Sequence, residues 1–413
     1  MILFIEVIIL KNVVVIGAGP AGMMAAISAG KHHKVTLVEG NDRLGKKLFI
    51  TGKGRCNVTN KKDISEFFNY IPGNPYFLYS ALYGYTNEDV INFFESKNIK
   101  LKTERGDRVF PLSDKSSDII KGLESALRES NVNILLSSKV KDINFSNNMI
   151  DSIILDNNQK ISGDHFIFCT GGLSYPLTGS TGKGLSLSRK LGHNIIEPKP
   201  SLVPIETIDA WVKELMGLSL KNVELKVLKD NKAVFKDQGE MLFTHFGISG
   251  PLVLSASRYV DMSKSMEVSI NLKPALTEVE LDKRIQKDFQ KYLNKDFKNS
   301  LDDLLPKKLI PVIIKLSKID EDKKVNSITK EERKTLVSLL QSLKMKVKGL
   351  RPIEEAIVTA GGVDTKEIDP STMKSKLIQN LSFAGEVVDV DAFTGGYNVQ
   401  IALSTGYLAG NSI

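Results

Sequence analysis

Residues 12–16 read NVVVI, an unbroken apolar, β-branched run with no polar alternation. Such a run predicts a strand buried on both faces, as in a parallel sheet. The segment that follows, GAGPAGMMAAISAG, is rich in glycine and alanine and reads as a tight turn opening a helix. KVTLVEG then returns to an apolar strand, so the start of the chain predicts a strand–helix–strand unit. Residues 116–129 carry helical spacing, and NVNILLSSKVKDINF gives strands. MIDSIILDNNQKISGDHFIFCTGG continues as a hairpin turning at DNNQ and ends in an apolar strand before Gly171 and Gly172.

The texture changes at EPKPSLVPIE, whose three prolines mark a boundary. Residues 201–272 alternate as short strands and turns, which suggests a small β-barrel or sandwich. From Thr277 to about Leu343 the spacing is helical, and ITKEE offers a capping box with Thr329 as N-cap and Glu332 three residues on. Near Ile353 the α/β texture resumes with EEAIVTAGGV, LSFAGEVVD, a glycine-rich loop and a final helix. The organisation expected is an α/β nucleotide-binding domain from residues 1–193 and 350–413, interrupted by two inserts. One is a β-barrel over 194–274, returning near 344–349; the other is a helical subdomain over 275–343.

Composition narrows this little: 413 residues, 42% hydrophobic and 25% charged, suit an ordinary globular protein. Cys56 and Cys169 lie far apart and outside any C-x-x-C pair, which argues against a disulfide framework, a zinc site or a dithiol centre and fits a reducing cytoplasm. The apolar start MILFIEVIIL has no basic flank or small-residue cleavage site and is too short to span a bilayer. It is expected to be an extra edge segment or a start-codon artefact, and no membrane partner is implied. The net charge is +8, and between Lys273 and Lys348 there are 19 lysines and arginines against 12 acids. Because the acids are interspersed, a solvated helix face is favoured over a nucleic-acid surface.

The chemistry begins at Gly17-Ala18-Gly19-Pro20-Ala21-Gly22, a G-x-G-x-x-G between a buried strand and a helix. Gly17 permits the turn, Gly19 lets the backbone approach a pyrophosphate, and Gly22 allows close helix–strand packing. The helix N-terminus supplies N–H donors and positive dipole to that anion. Glu39 ends the second strand, where its carboxylate can accept ribose hydroxyls, with Gly40 and Asn41 beside it. At the other end of the chain, Gly385-Glu386 follows a strand, and Gly396-Tyr397-Asn398-Val399 opens a helix. A chain with both ends of such a site favours FAD over NAD. Glu386 would bond the ribitol, and the second helix N-terminus would face the flavin pyrimidine, where negative charge develops on reduction.

GKKLFITGKGRCNVTN, residues 45–60, looks like a phosphate loop but fails the Walker spacing: Gly54, not Ser or Thr, follows Lys53. Together with VVVIGAGPAGMMAA, TGGLSYPLTGSTGKG, GEMLFTHFGISGPLVL, AIVTAGGV and FAGEVVDVDAFTGGYNVQIALSTG, it resembles the BaiN/RdsA family of FAD-dependent oxidoreductases, also called YhiN-type or aminoacetone-oxidase-like flavoproteins. The resemblance runs from near residue 13 to the C-terminus. It implies a glutathione-reductase-like FAD-binding Rossmann domain interrupted by the barrel and the helical subdomain. It also implies that the backbone of Val140 lines the adenine and that Thr170 and Gly171 belong to the cofactor site. Arg43, Lys46 and Lys47 would neutralise phosphates. Thr51, Gly52 and Gly54 would bring backbone to the ring, with Arg55, Cys56 and Asn57 beside it. Lys183 in STGKG stands where such flavoproteins usually carry an acid, which puts any contact by that acid in doubt.

His245 is the acid–base candidate among five histidines, with a purely structural role as the alternative. Tyr175 either donates a proton or packs as a lid aromatic. Cys56 reads as a packed or flavin-adjacent thiol, and no metal-ligand spacing is seen. The function expected is a cytoplasmic FAD-dependent oxidoreductase passing hydride through flavin N5 to or from a small organic substrate, by C=C reduction or amine oxidation. With one dinucleotide fingerprint, NAD(P)H would be a transient donor. The alternatives are a flavoprotein acting on tRNA, motivated by the basic insert, and a flavin-binding module without turnover. The oligomeric state is left open.

Overall fold

The computed structural model describes residues 9–413; the apolar start read as an edge segment falls largely outside them. The chain forms two compact units, one running through Ser201 and resuming at Ile353–Ile413, the other Leu202–Pro352. In the first, the strands β1 (Asn12–Ile16) and β2 (Lys34–Val38) pair in parallel, Val13 opposite Val35. The sheet has five parallel strands in the order Leu381–Phe383, His165–Phe168, β1, β2, Asn133–Leu135. Val13 to Ile16 are all buried, as the unbroken β-branched run requires.

Helix α1 (Pro20–Ala29) buries every residue from Ala21 to Ala29. A helix apolar all round has to be covered all round. One cover is the C-terminal helix Tyr397–Asn411. There, a Cβ on Gly406 would stand 2.2 Å from the Ala21 carbonyl oxygen and one on Gly410 2.4 Å from that of Ala25. The two backbones therefore touch with no side chain between them, in parallel and in register over one turn.

The boundary between the units differs from the one expected. Strand Ile195–Ser201 pairs antiparallel with Val358–Val363 in the first unit, so the insert starts at Leu202 rather than 194. The prolines that suggested a break, Pro198 and Pro200, sit within this strand, whose register shifts between Ile196 and Lys199. A two-stranded sheet has only edge strands, where proline is tolerated.

In the second unit a closed antiparallel barrel runs Ile205–Thr207, Gly247–Ser249, Lys232–Phe243, Ser219–Lys229, Met266–Asn271, Leu343–Leu350 and back to the first. Helices Glu278–Lys291 and Lys330–Gln341 open with capping boxes at Thr277 and Thr329. Their apolar residues, among them Leu281, Ile285, Leu336 and Leu340, share one core with Leu225, Val268 and Ile270 of the barrel. Barrel and helices thus share one core within a single compact unit. An amphipathic helix needs an apolar surface to cover, and the buried residues of the barrel strands supply it.

The helix–helix contact generates a first prediction. Gly406→Ala is expected to destabilise the protein by about 1–3 kcal/mol, the range for an overpacked interior, because its Cβ meets a backbone carbonyl rather than a movable side chain. Chemical denaturation measures this, and an unchanged midpoint would remove the close contact as a determinant of the fold.

Candidate cofactor and active site

Three chain segments converge on the start of α1. Gly17 (φ 98°) donates its N–H to the Val38 carbonyl at 2.8 Å, and a Cβ there would meet Cys169 O at 2.5 Å. Gly22 leaves no room either, its Cβ position lying 1.8 Å from Gly17 O. Gly19 is different: nothing stands within 4 Å of its Cβ position, so the backbone offers an open face to a ligand. Gly45, which precedes helix α2 (Lys46–Gly54), bonds Ala18 O at 2.9 Å. Gly385 (φ 74°) closes the group, its Cβ position 2.7 Å from the Ala21 Cβ.

Both long helices that begin here are uncapped. Neither α1 nor Tyr397–Asn411 has a side-chain cap or an acid in its first turn. Asn87–Ser96, Glu278–Lys291 and Lys330–Gln341, by contrast, carry capping boxes with two acids each. An uncapped N-terminus leaves N–H groups and positive dipole for an external anion or electron-rich ring. Gly396 (φ 99°) makes the second start, its Cβ position 2.3 Å from Thr59 O. Tyr397 is buried, stacked on Tyr70 with centroids 4.5 Å apart. Asn398 clips the preceding loop, accepting from Ala392 N at 2.9 Å and donating to Ala392 O at 2.7 Å, while Val399 packs against the core.

Glu39 is buried and serves the protein itself. Its Oε2 accepts from Ala18 N at 2.7 Å, and Oε1 accepts from Asn41 N at 2.8 Å and Asn41 Nδ2 at 2.7 Å. The carboxylate expected at the ribose therefore also braces the dinucleotide loop. Gly40 packs on Lys139, and Ser138 N donates to Glu39 O at 2.8 Å, which brings the start of the Val140 strand to this end of the site. Asn41 Nδ2 also reaches Thr178 O at 2.9 Å. Arg43 extends into solvent beside Asp42, and Lys46 Nζ lies 3.2 Å from Asn41 Oδ1.

At the other end stands a four-residue network. Lys47 Nζ contacts Glu386 Oε2 and Ser174 Oγ, each at 2.6 Å. Ser174 Oγ and Thr359 N both donate to Glu386 Oε1 at 2.8 Å. Lys47, expected at the phosphates, is instead the counter-ion of Glu386. Ser174 and Thr359 were not singled out from sequence; the signal was hydroxyl residues beside the glycine pairs of TGGLS and VTAGG.

The GKKLFITGKGRCNVTN stretch forms α2 and a kink. Thr51 Oγ1 caps back to Leu48 O at 2.7 Å, and Gly52, Lys53, Gly54 and Cys56 all have positive φ. Two of these are non-glycine residues, so strain is stored here. Arg55 reaches Glu104 at 2.9 Å and Asp114 at 3.3 Å, its guanidinium 4.2 Å from the Phe110 ring centroid, so it is bound to acids of its own neighbourhood. Cys56 is fully buried, and burial pushes its thiol up to about 12; Cys169 is raised by the same cause, and both are free thiols.

Two further atoms test whether FAD fits. Asn57 Oδ1 and Thr170 Oγ1 are buried without a hydrogen-bond partner among the described residues. Asn57 Oδ1 lies 2.9 Å from the Gly396 Cβ position, at the start of the C-terminal helix; the Thr170 backbone adjoins Gly17, its Oγ1 lies against Gly184 of the helix Lys183–Lys190, and Gly171 (φ 68°) is next. Orphaned buried acceptors and donors are rare in native proteins. With two uncapped helix starts and the open face of Gly19, they fit a bound dinucleotide.

Tyr175 (φ 52°) follows Ser174 and is half-buried, its carbonyl accepting from Thr178 N at 2.8 Å. Lys183 opens helix Lys183–Lys190. His245 belongs to the second unit, where it is exposed and edge-on to Phe246 at 4.9 Å; the Arg351 guanidinium lies 4.9 Å from that ring. His165 bonds Ser382 at 2.9 Å across the sheet, burial taking it down to about 3, and His193 bonds Glu367 and Ser375. Among the described residues no group of three His, Cys, Asp or Glu could hold a metal, and no helix is long and apolar enough to cross a membrane.

The fold and this site define a Rossmann-fold, FAD-dependent oxidoreductase. Residues 11–412 match the family described as HI0933-like protein Rossmann domain, and the chain belongs to that family. A ribosomal RNA dihydrouridine synthase of Haemophilus influenzae is 33% identical over 405 residues, 97% of this chain and 98% of the relative. A 3-dehydro-bile acid delta(4,6)-reductase of Clostridium scindens is 29% identical over 410 residues, 98% of this chain and 99% of the relative. The fold also resembles a quinol–fumarate reductase, with TM-score 0.51 at 13% identity, covering 97% of this chain and 70% of that one.

The glycines separate binding from folding. Gly19→Ala is expected to leave the unfolding temperature of the apoprotein within a degree or so, on the order of a few tenths of a kcal/mol, while lowering the ratio of bound flavin to protein. Gly22→Ala should lower both. Equal flavin retention by Gly19→Ala and wild type would place the pyrophosphate elsewhere.

The thiols carry a pH prediction. With Cys56 near 12 against an ordinary 9.0, its contribution to stability is full below pH 9 and is lost as pH rises toward 12. At pH 8 iodoacetamide should label neither cysteine in the native protein and both after denaturation, as read by mass spectrometry. Rapid native labelling of Cys56 would contradict its burial.

Proposed function

We propose that this protein reduces a carbon–carbon double bond conjugated to a carbonyl, using electrons from NAD(P)H. The observation that carries the reading is the pair of uncapped helix starts brought together by the α1–Tyr397–Asn411 contact. They support a flavin that gains negative charge on reduction. The names of both curated relatives denote saturation of such a bond, in a uracil ring and in a steroid dienone. This favours C=C reduction over amine oxidation. Bound FAD supplies the hydride carrier.

The protein's share is binding and positioning. Gly19 and the α1 start would hold the pyrophosphate and Glu39 the ribose, while Glu386, fixed by Lys47, Ser174 and Thr359, would hold the ribitol. The start of the C-terminal helix, with Asn57 beside it, would face the ring. Hydride reaches the carbon β to the carbonyl, the electron pair moves to the carbonyl oxygen, and a proton must reach the α carbon. Tyr175 and His245 are the proposed proton donors, Tyr175 because it adjoins the Ser174–Glu386 network and His245 as an exposed imidazole. Two free buried thiols agree with a reducing compartment.

The acceptor is proposed to be a small enone-type molecule. A second reading, a uracil within RNA, is supported by the 33% identical relative and by a net charge of +8. Anaerobic mixing with NADH or NADPH should bleach the flavin absorbance. Reoxidation by a steroid enone or by a uridine-containing transcript, with the product gaining two hydrogens by mass spectrometry, then identifies the acceptor. Reduced enzyme that neither substrate reoxidises would overturn the reading.

A further inference from the structure

The segment TGGLSYPLTGSTG, residues 170–182, forms a closed loop beside the cofactor site. Its ends are joined where Gly182 N donates to Gly172 O at 3.2 Å, so the chain leaves the body of the unit and returns to it at one point. A compact surface loop with touching ends is an Ω-loop. Gly171 and Gly182 flank its base at φ 68° and 76°, the backbone freedom that a hinge uses. At its crest Pro176–Thr178 makes a short turn, fixed by Thr178 N and Oγ1, which donate to Tyr175 O at 2.8 and 2.7 Å. The crest faces solvent, with Leu177 89% exposed.

The first limb is held firmly. Thr359, fully buried, accepts through Oγ1 from Leu173 N at 2.9 Å and from Ser174 N at 3.1 Å. Further along, Ser174 Oγ donates to Glu386 Oε1 at 2.8 Å, and Tyr175 N reaches Glu354 O at 3.4 Å. Thr178 O then accepts from Asn41 Nδ2 at 2.9 Å, and the same amide donates to Glu39 Oε1 at 2.7 Å. The loop is therefore clipped at Ser174 to one of the two carboxylates assigned to the cofactor sugars, and at Thr178, through Asn41, to the other. Five residues join both ends of the site.

We propose that residues 174–178 are a strap that sets the rate at which the flavin cofactor leaves and rebinds, with Ser174 and Asn41 as its two clips. The proposal rests on the assignment of Glu39 to the ribose and Glu386 to the ribitol. Each clip bonds protein to protein, so it opposes opening of the strap in the free and the loaded protein alike and largely cancels in the affinity. Losing one hydrogen bond of this kind speeds opening by about two- to tenfold. Asn41 and Ser174 are thus positioning residues, acting on the cofactor through the strap.

The test uses the full-length holoenzyme and reads flavin release rather than turnover. On dilution to nanomolar concentration, flavin fluorescence rises as the cofactor dissociates. The rate of rise gives the release rate and its end point gives Kd, and their ratio gives the association rate. The variants are Asn41→Ala, Ser174→Ala and their combination, with Leu177→Ser as a control on the exposed crest; circular dichroism and the unfolding temperature check that each is folded. Both single variants should speed release by about two- to tenfold, and the double variant by more than either. Kd should change less than the release rate, so that association quickens too, and the control should match wild type. A rise in Kd equal to the rise in release rate, with association unchanged, would make Asn41 and Ser174 braces of Glu39 and Glu386 alone and overturn the strap. So would wild-type release rates in both single variants, or equal acceleration by Leu177→Ser. Glu386→Gln separates the underlying assignment. Unchanged flavin affinity in that variant removes the ribitol contact, whereas weakened affinity with unaltered rates in the clip variants removes the strap alone.

Discussion

The C-terminal helix meets α1 backbone to backbone at Gly406 and Gly410, where the carbonyls of Ala21 and Ala25 occupy the space a Cβ would take. Everything at the cofactor site hangs on this contact. It sets two helices in parallel, so that both positive ends lie on the same side of the sheet. It also brings Gly385 against Ala21, and with it Glu386. A single methyl at either glycine would force the helices apart and separate the two halves of a site whose residues are more than three hundred positions distant in the chain.

With the helices fixed, the carboxylates follow. Glu39 is spent largely on Ala18 and Asn41, holding the turn that the glycines make possible. Glu386 is neutralised by Lys47 and oriented by Ser174 and Thr359, which tie three separate segments to one side chain. A half-buried carboxylate needs such partners, because burial without them would cost more than the contact returns. The strained turn from Gly52 to Cys56 is closed by Cys56 N donating to Thr51 O at 3.1 Å, with Cys56 buried.

The insert shows how local patterns and global packing divide the work. Capping boxes at Thr277 and Thr329 start their helices where short-range chemistry requires. Yet the helices do not form a separate body, since their apolar stripes complete the core of the barrel. The prolines near residue 200 mislead for a related reason. Proline breaks a central strand but not a two-stranded edge pair, and only the partner strand Val358–Val363 reveals which case applies.

The sequence by itself determined the local geometry of the site. An unbroken β-branched run, a glycine fingerprint, Glu39 and a glycine pair before a helix each act over a few residues, so their consequences are written in spacing. Lys47 was legible as a cation near the cofactor, but not as the partner of Glu386. Ser174 and Thr359 passed unremarked, and Arg55 turned to Glu104 and Asp114. Those assignments were decided only in the tertiary structure. A charged side chain settles on whichever opposite charge folding brings nearest, and that neighbour comes from a distant segment that no local pattern specifies.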